Sequence, residues 1–243
     1  MEVLLVRAAN PSPYTLTGTN TWVVGRSPAW VVDPGPALAA HLDAVEAAVA
    51  ERGGAGGIAL THDHPDHAEG LDELRSRLGD PPVGAMPELG DGGEFGPFVA
   101  LHVPGHALDH LVFVAGGAAF TGDAVLGEGS VFIAPGGGSL GAYLDGLRRL
   151  RAMRPARIHP GHGPVVDDPV AKLDEYISHR LERERRIVAA LDAGARTEDE
   201  LLAAAWDDVP AGLRLPAAWT LRAHLEKLRS EGRLPEGMRA DRA

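Results

Sequence analysis

Residues 61–67 read Thr-His-Asp-His-Pro-Asp-His and place three histidines within six consecutive positions. The motif follows the apolar run 57–60, which predicts a short buried strand, and residues 66–78 predict a helix. It therefore lies on a loop leaving the carboxyl end of a strand, where α/β proteins concentrate their chemistry. Only 11 histidines occur in 243 residues, so a chance cluster of this density is improbable.

The spacing of the motif favours a metal site. His62 and His64 are two residues apart, so in an extended loop both side chains point the same way. Asp66 and His67 begin the next helix and face the same space from its N-terminus. Neutral imidazoles and carboxylates are ligands suited to zinc, with manganese or iron less favoured. The motif thus predicts a divalent metal bound at this strand end.

Three further motifs follow in order along the chain. His106 ends a Pro-Gly-His sequence, Asp123 follows Gly122, and His162 ends a His-Pro-Gly-His sequence. With residues 61–67 this ordered set resembles the metallo-β-lactamase superfamily. The resemblance implies an α+β fold in which two sheets pack face to face between helices, a four-layer αββα sandwich.

The superfamily resemblance also implies a dinuclear metal site. One metal would be held by His62, His64 and His106, the other by Asp66, His67 and His162, with Asp123 bridging. Two divalent ions, zinc favoured and Mn²⁺ or Fe²⁺ as alternatives, would hold a bridging hydroxide as nucleophile.

Asp66 and two residues outside the ligand set have further predicted roles at the site. Asp66 is expected to orient the attacking water as well as to bind metal. His110, four residues after His106, resembles a family position near the pocket; it either contacts substrate or leaving group, or packs as a buried polar residue. Asp33, at the end of another predicted strand, is either a hydrogen-bond acceptor for a ligand imidazole or a turn residue.

Three stretches narrow the resemblance to the subgroup typified by β-lactamase-like protein 2. They are residues 17–21, 122–129 and 176–180 (Thr-Gly-Thr-Asn-Thr, Gly-Asp-Ala-Val-Leu-Gly-Glu-Gly and Tyr-Ile-Ser-His-Arg). That subgroup implies a C-terminal winged-helix-like domain, so we predict a metal-hydrolase domain over residues 1–192 and a winged-helix-like domain over 193–243. One departure is Ala107, where the family's Pro-Gly-His-Thr has a threonine hydroxyl.

The remaining periodicity agrees with this architecture. Strands are predicted near residues 3–8, 21–25, 29–32, 82–86, 98–103, 111–114, 118–121 and 157–159, and helices over 38–52, 140–153 and 171–191. Residues 90–96 are predicted to form glycine-rich turns. His41 and His224 are expected on helix surfaces, and His102 and His159 are expected to have structural roles on strands. His179 is expected either to line the pocket or to lie on its helix surface or pack against the fold.

The C-terminal piece has its own signals. Thr197 with Glu200 three residues later predicts a helix N-cap, and Pro216 is expected to open a second helix. This piece can serve for packing, for homodimerisation or as a pocket wall.

Nucleic-acid contact by the second helix is a further alternative. Arg222, Lys227 and Arg229 could contact phosphate, but Glu226 and Glu231 dilute the positive face, so sequence-specific DNA binding is disfavoured.

Composition narrows the substrate and compartment. The net charge of −11 disfavours tight binding of long nucleic acids and favours a small-molecule or carrier-bound substrate. No run of ~18 apolar residues is present, so no membrane span is expected. No secretion signal is recognised, and we therefore expect a cytoplasmic protein.

Several functions remain to be separated. We expect hydrolysis either of RNA phosphodiesters in single strands, as in endoribonucleases of the subgroup, or of ester or thioester bonds, as in its thioesterase relatives. A glyoxalase II-like thioester hydrolase is the alternative, and a non-catalytic winged-helix DNA-binding regulator is the least favoured. His64 argues against a flavodiiron protein, which has Glu there, and the absence of cysteine argues against a class B1 β-lactamase.

Overall fold

The computed structural model describes residues 1–133 and 140–235 and contains two five-stranded sheets. The first sheet is formed, in spatial order, by β1 (Val3–Arg7), β2 (Asn20–Val24), β3 (Ala29–Val32), β4 (Ala55–Ala59) and β5 (Val83–Gly84). β1 to β3 pair antiparallel, whereas β3, β4 and β5 pair in parallel. The parallel pairs require crossover connections, which helices supply.

The second sheet follows in sequence and has the spatial order β10-β9-β8-β7-β6. Its strands are β6 (Glu94–Phe95), β7 (Phe98–His102), β8 (Leu111–Ala115), β9 (Ala118–Gly122) and β10 (Arg157–Pro160). Only β9 and β10 pair in parallel. β6 lies within the stretch expected to form only turns.

Seven α-helices are described in these two ranges. They are α1 (Ala39–Ala50), α2 (Pro65–Ala68), α3 (Leu71–Arg77), α4 (Leu140–Met153), α5 (Pro169–Asp192), α6 (Glu198–Ala205) and α7 (Arg214–Ser230), with a 3₁₀ turn at Ala211–Leu213. Among the described residues, no helix combines the length and apolar character needed to cross a bilayer.

Aromatic side chains fill the space between the two sheets. Trp22 of the first sheet packs with Phe98, Phe113 and Phe120 of the second in one buried cluster. Helix α1 covers the outer face of the first sheet, and α4 with the first half of α5 covers that of the second. The predicted four-layer αββα sandwich is confirmed.

The helix predicted over residues 66–78 is instead two helices, α2 and α3, separated at Gly70. The Gly70 amide donates to the Gly35 carbonyl at 2.9 Å. A Cβ at residue 70 would lie 2.8 Å from Leu42 Cδ2 and 3.0 Å from the Gly35 oxygen. This close approach needs glycine, and it turns the chain between the two helices.

The C-terminal helices pack on the end of α5. Leu173 and Tyr176 of α5 belong to the core beneath the second sheet, whereas Ile187 and Leu191 belong to a cluster shared with α6 and α7. The predicted N-cap at Thr197 is confirmed, with the reciprocal Glu200 contacts of a capping box. The boundary at residues 192–193 stays a prediction, since α5 contributes to both cores.

Candidate metal centre

The seven side chains predicted as ligands lie together at one edge of the sandwich. They follow the carboxyl ends of four strands: His62, His64, Asp66 and His67 after β4, His106 after β7, Asp123 after β9 and His162 after β10. Each sheet supplies part of the group. These seven residues are called the ligand cluster below.

Histidines of the ligand cluster approach one another through single ring nitrogens. In the first group, His64 Nδ1 lies 3.1 Å from His62 Nε2 and 2.9 Å from His106 Nε2. In the second group, His162 Nε2 lies 3.3 Å from His67 Nε2 and 3.1 Å from Asp66 Oδ2. Each group offers one atom per residue toward a common centre.

Asp123 lies between the two groups. Its Oδ1 is 3.5 Å from His67 Nε2 and 3.4 Å from His162 Nε2, whereas its Oδ2 is 3.5 Å from His106 Nε2. The two oxygens of one carboxylate therefore face different groups. This is the arrangement that a bridging ligand requires.

The spacing of these atoms fits metal coordination. Zinc–nitrogen bonds of about 2.0–2.1 Å place tetrahedral ligand atoms roughly 3.3 Å apart. The distances of 2.9–3.5 Å within the ligand cluster bracket that value. The donor set of imidazoles and carboxylates without cysteine suits zinc, manganese or iron.

Asp33 fixes the orientation of one cluster histidine directly and of another through a threonine. Its Oδ2 accepts a hydrogen bond from His67 Nδ1 at 2.9 Å and from the Thr61 hydroxyl at 2.8 Å. The Thr61 oxygen in turn accepts from His62 Nδ1 at 3.0 Å. The Nε2 atoms of both histidines are thereby left to face the centre. Asp33 is thus a hydrogen-bond acceptor for the imidazole of His67, one of the predicted ligands.

Two other histidines are held by backbone carbonyls. His106 Nδ1 donates to the Phe132 carbonyl at 3.2 Å, and His162 Nδ1 to that of Gly18 at 3.5 Å. As with His67, the nitrogen pointing away from the centre is the one that donates. Such outer hydrogen bonds select the tautomer whose lone pair is free for a metal.

The carboxylates dominate the electrostatics of the cluster. Burial lowers the pKa of His67, but Asp123 and Asp33 more than offset this and raise the pKa well above its usual value. Burial also lowers the pKa of His162, but Asp123 and Asp66 more than offset this and raise it to about 9. Burial would raise the pKa of Asp123, yet the facing His67 and His162 hold it well below its usual range. The carboxylates of Asp33, Asp66 and Asp123 therefore stabilise positive charge within the ligand cluster.

Two glycines let the backbone approach the cluster. A Cβ on Gly122, whose φ is +45°, would lie 2.4 Å from Thr61 Oγ1. A Cβ on Gly161 would lie 2.6 Å from His67 Cε1 and 2.8 Å from Asp123 Oδ1. Gly122 of the Gly-Asp motif and Gly161 of the His-Pro-Gly-His motif thus make room for the side chains beside them.

Comparison with known proteins agrees with this geometry. Residues 86–162 match the model of the metallo-beta-lactamase superfamily, and residues 197–240 match that of the beta-lactamase associated winged helix domain. The chain is 33% identical to the Caenorhabditis elegans beta-lactamase-like protein 2 homolog, over 92% of this chain and 82% of the relative.

The chain belongs to the metallo-β-lactamase superfamily. It is a metal-dependent hydrolase of the β-lactamase-like protein 2 group, with the C-terminal winged-helix domain that this group predicts.

Two further similarities extend over much of this metallo-β-lactamase superfamily chain. It is 36% identical to an atrochrysone carboxyl ACP thioesterase of Aspergillus chevalieri, over 78% of this chain and 66% of the relative. A metallo-β-lactamase family protein from Thermus thermophilus shares its fold with a TM-score of 0.70 and 26% identity, covering 95% of this chain and 94% of that one.

His110 lies behind the ligand cluster of this superfamily member. It has no exposed surface, its ring stacks on His62 at a centroid distance of 4.8 Å, and its Nε2 accepts the Asp123 amide at 3.1 Å. Burial lowers the pKa of His110 well below its usual value, so the ring is neutral. These contacts favour the packing interpretation of His110 over direct contact with substrate.

Asp66 is the most accessible carboxylate of the cluster. Its side chain is 29% exposed, against 12% for Asp123, and its Oδ2 accepts a hydrogen bond from Thr19 Oγ1 at 3.3 Å. Asp66 also borders an open cavity together with His64, His162 and Trp219. This position is compatible with the predicted role of Asp66 toward an attacking water.

A second cavity of about 330 Å³ extends from the ligand cluster toward the C-terminal domain. His106 and Asp123 border it on one side, and Trp206, Leu213 and Ala217 on the other. The C-terminal domain therefore supplies a wall of the pocket. His179 lines the same cavity, in agreement with the pocket alternative for this residue.

The basic residues considered for nucleic-acid contact are largely paired within the protein. Arg222 Nε lies 3.0 Å from Glu198, and Lys227 Nζ lies 2.8 Å from both Glu184 and Glu231. Arg229 is exposed. Intramolecular carboxylates already hold Arg222 and Lys227, and these ion pairs disfavour the phosphate-contact alternative for the two residues.

Sequence reasoning did not single out Thr61 or Arg180 as individual site residues. Thr61 was visible only as the residue before the first histidine, and Arg180 only within the stretch 176–180. The signal for Thr61 is its position at the end of a strand and against a histidine motif. Arg180 carries no local signal, since its place in the cavity depends on how α5 packs.

Proposed function

We propose that this protein is a dinuclear zinc hydrolase of ester or thioester bonds in small-molecule or carrier-bound substrates. His62, His64 and His106 would hold one metal, Asp66, His67 and His162 the other, and Asp123 both. The single observation that supports this most is the placement of the two Asp123 oxygens, which face different groups within 3.5 Å. Zinc ions bound in this way lower the pKa of water and polarise a carbonyl or phosphoryl oxygen.

The chain's own residues would orient and exclude water around the reacting bond. Asp66, held by Thr19, presents its Oδ2 at the edge of the open cavity and can accept a proton from an attacking water. Asp33 and Thr61 keep His67 and His62 in the tautomer that binds metal. His110 holds the Asp123 backbone amide and so positions the bridging carboxylate.

The cavities support an acyl substrate. Apolar side chains dominate the pocket wall formed by the C-terminal domain, as expected for a small-molecule site and not for a phosphate backbone. The net charge of −11 gives no general attraction to RNA. The similarity to a fungal ACP thioesterase also supports a thioester as the bond that is hydrolysed.

RNA phosphodiester hydrolysis is the second candidate. The observation that favours it is aromatic: Tyr14, Phe132 and Trp219 border the cavity that opens from the ligand cluster, and unpaired bases stack on such side chains. Arg229 is the one of the three considered basic residues that remains free of an intramolecular ion pair among the described residues.

Metal analysis and a substrate panel test the proposal together. Protein purified without chelator should contain close to two divalent ions per chain, zinc predominating, and should hydrolyse acyl thioesters faster than labelled single-stranded RNA. A metal content near one per chain would overturn the dinuclear assignment. Turnover of RNA with no hydrolysis of any ester or thioester would transfer the assignment to the second candidate.

A further inference from the structure

The cavity of about 330 Å³ between the ligand cluster and the C-terminal domain contains a charge that the proposed reaction does not use. Arg180, on α5, lines this cavity and is only 2% exposed. A cationic side chain buried to this extent normally has an acidic partner. The groups around Arg180 therefore decide whether its charge is compensated within the protein.

The contacts of Arg180 are with neutral groups. Its Nη2 donates to the Val131 carbonyl, and its guanidinium lies 5.8 Å from the centroid of the Tyr143 ring. Its Nε is buried and has no hydrogen-bond acceptor. Over residues 1–133 and 140–235, no carboxylate lies within ion-pair distance of Arg180.

The other ionisable groups of the cavity are accounted for. Arg183 forms a two-point ion pair with Asp208 at 2.8 and 2.9 Å. Burial and the neighbouring arginines lower the pKa of His179 to about 4, so its ring is neutral at pH 7. Glu128 is exposed at the cavity rim, and Asp123 faces the cluster histidines. Among the described residues that line the pocket, Arg180 is thus left as the charge without an acidic partner.

The remaining lining is apolar. Val131, Trp206, Val209, Leu213 and Ala217 border the space beside Arg180, and the ligand cluster borders its other end. A ligand that fits this lining would have an apolar body with one end at the cluster and an anionic group near the guanidinium. A single guanidinium matches a monoanion such as a carboxylate, with which it forms charge-assisted hydrogen bonds.

We propose that this cavity is an acyl pocket selective for acyl groups that carry a carboxylate at the end remote from the scissile bond, with the Arg180 guanidinium as the carboxylate-binding group. This inference rests on the proposed ester or thioester hydrolysis. It adds the substrate class: dicarboxylic monothioesters with an apolar spacer. It also gives the C-terminal domain a function, since that domain closes the apolar side of the pocket.

Paired substrates with one leaving group test the selectivity. The metal-loaded full chain is assayed on the monothioester of adipic acid and on the hexanoyl thioester, which lacks the terminal carboxylate. The wild-type protein should show kcat/KM at least about tenfold higher for the carboxylated substrate. Equal values for the two substrates in the wild type would overturn the inference.

Variants on the same helix assign the preference to one side chain. Arg180→Gln should lower kcat/KM for the adipic monothioester more than for the hexanoyl thioester and so remove most of the tenfold preference, and Arg180→Lys, which keeps the charge, should restore part of it. Arg185→Gln is the matched control, because Arg185 is exposed on the same helix and this substitution removes the same charge outside the cavity. An Arg180→Gln protein that keeps the full preference would refute the role of Arg180; if it does not fold, Arg180→Lys and the wild-type substrate pair decide.

Binding measured by calorimetry separates this inference from the proposed reaction. Adipic acid monoamide should bind wild-type protein about tenfold more tightly than it binds Arg180→Gln, and hexanamide should bind both alike. If neither thioester is hydrolysed but this difference is found, the pocket assignment stands and the reaction assignment fails. Carboxylate binding that is identical in the two proteins, or tighter binding of hexyl phosphate than of the carboxylate, would overturn the pocket assignment.

Discussion

The ligand cluster and the C-terminal domain lie next to each other but differ in the contacts of their polar side chains. The atoms of the cluster converge on common centres, whereas the charges of the C-terminal domain form ion pairs. In the ligand cluster, His64 Nδ1 and His106 Nε2 approach within 2.9 Å, with two lone-pair atoms facing one centre. Where the C-terminal domain packs on α5, charges are matched by opposite charges: Lys227 contacts Glu184 of α5 at 2.8 Å, and Asp208 contacts Arg183 of α5 at 2.8 Å.

The difference separates side chains that stabilise the fold from side chains that await a ligand. A buried polar group without a protein partner is unfavourable unless something else satisfies it. Carboxylates and imidazoles whose ligand atoms converge on a common centre therefore indicate a bound cation, and Arg180, without an acidic partner among the described residues, indicates a bound anion. The ion pairs between α5 and the C-terminal domain need no ligand to account for them.

The largest expected effect concerns the carboxylate that faces both ligand groups. Asp123→Ala should reduce hydrolytic activity by a factor of about 10³ or more and lower the metal content below two per chain, because both metals lose a shared ligand. Steady-state kinetics and metal analysis on the same preparation measure both effects.

Asp63→Ala is the matched control for that substitution. Asp63 lies within the histidine motif but is exposed and outside the ligand cluster. It should retain activity and metal. Full activity of Asp123→Ala would contradict the assignment of this residue as the bridging ligand.

A smaller effect is expected one step away from the cluster. Asp33→Asn places an amide NH₂ among groups that donate to Asp33, so His67 and Thr61 lose part of their acceptor. Metal affinity or activity should fall about 10- to 100-fold. Competition with a chromogenic chelator measures the affinity, and Asp43→Asn on the surface of α1 serves as the control. An unchanged affinity would show that the outer hydrogen bonds do not tune the site.

The smallest effect, confined to stability, is expected among the paired charges. His224, Lys227 and Arg233 hold the pKa of the Glu184 carboxyl at about 2, below its ordinary 4.5. A carboxyl whose pKa is lowered in the folded state stabilises the protein above its unfolded pKa, and this stabilisation is lost as pH falls through the folded pKa. At pH 7, Glu184→Gln should therefore lower the free energy of unfolding by on the order of 1–3 kcal/mol, with activity kept.

Urea denaturation at several pH values measures that difference. The gap between wild type and Glu184→Gln should narrow as the pH falls from 4.5 toward 2, the window set by the ordinary and lowered pKa of the carboxyl. Glu175→Gln, on the exposed face of the same helix, should show no such gap. A Glu184→Gln gap that stays constant down to pH 2 would place the effect in packing and not in charge.

Local environments of individual histidines were harder to anticipate from the sequence. His41 and His224 were expected on helix surfaces, and both predictions are wrong: they are 5% and 0% exposed. His41 Nε2 contacts Thr21 Oγ1 at 3.0 Å, and His224 packs against Trp206 with Glu184 nearby. Each partner comes from another element, so the helix sequence alone carries no sign of it.

The sequence by itself determined the four-layer fold, the winged-helix domain and the set of seven candidate ligands, because its ordered motifs resemble those of the metallo-β-lactamase superfamily. The position of the first histidine motif after a predicted strand also placed that motif at a strand end, where α/β proteins concentrate their chemistry. The tertiary structure alone decided the break at Gly70, the hydrogen bonds of Asp33 and the exposure of Arg180 to the cavity. Those features depend on contacts between residues far apart in sequence, such as Gly35 with Gly70 and Val131 with Arg180, whose packing no local pattern specifies.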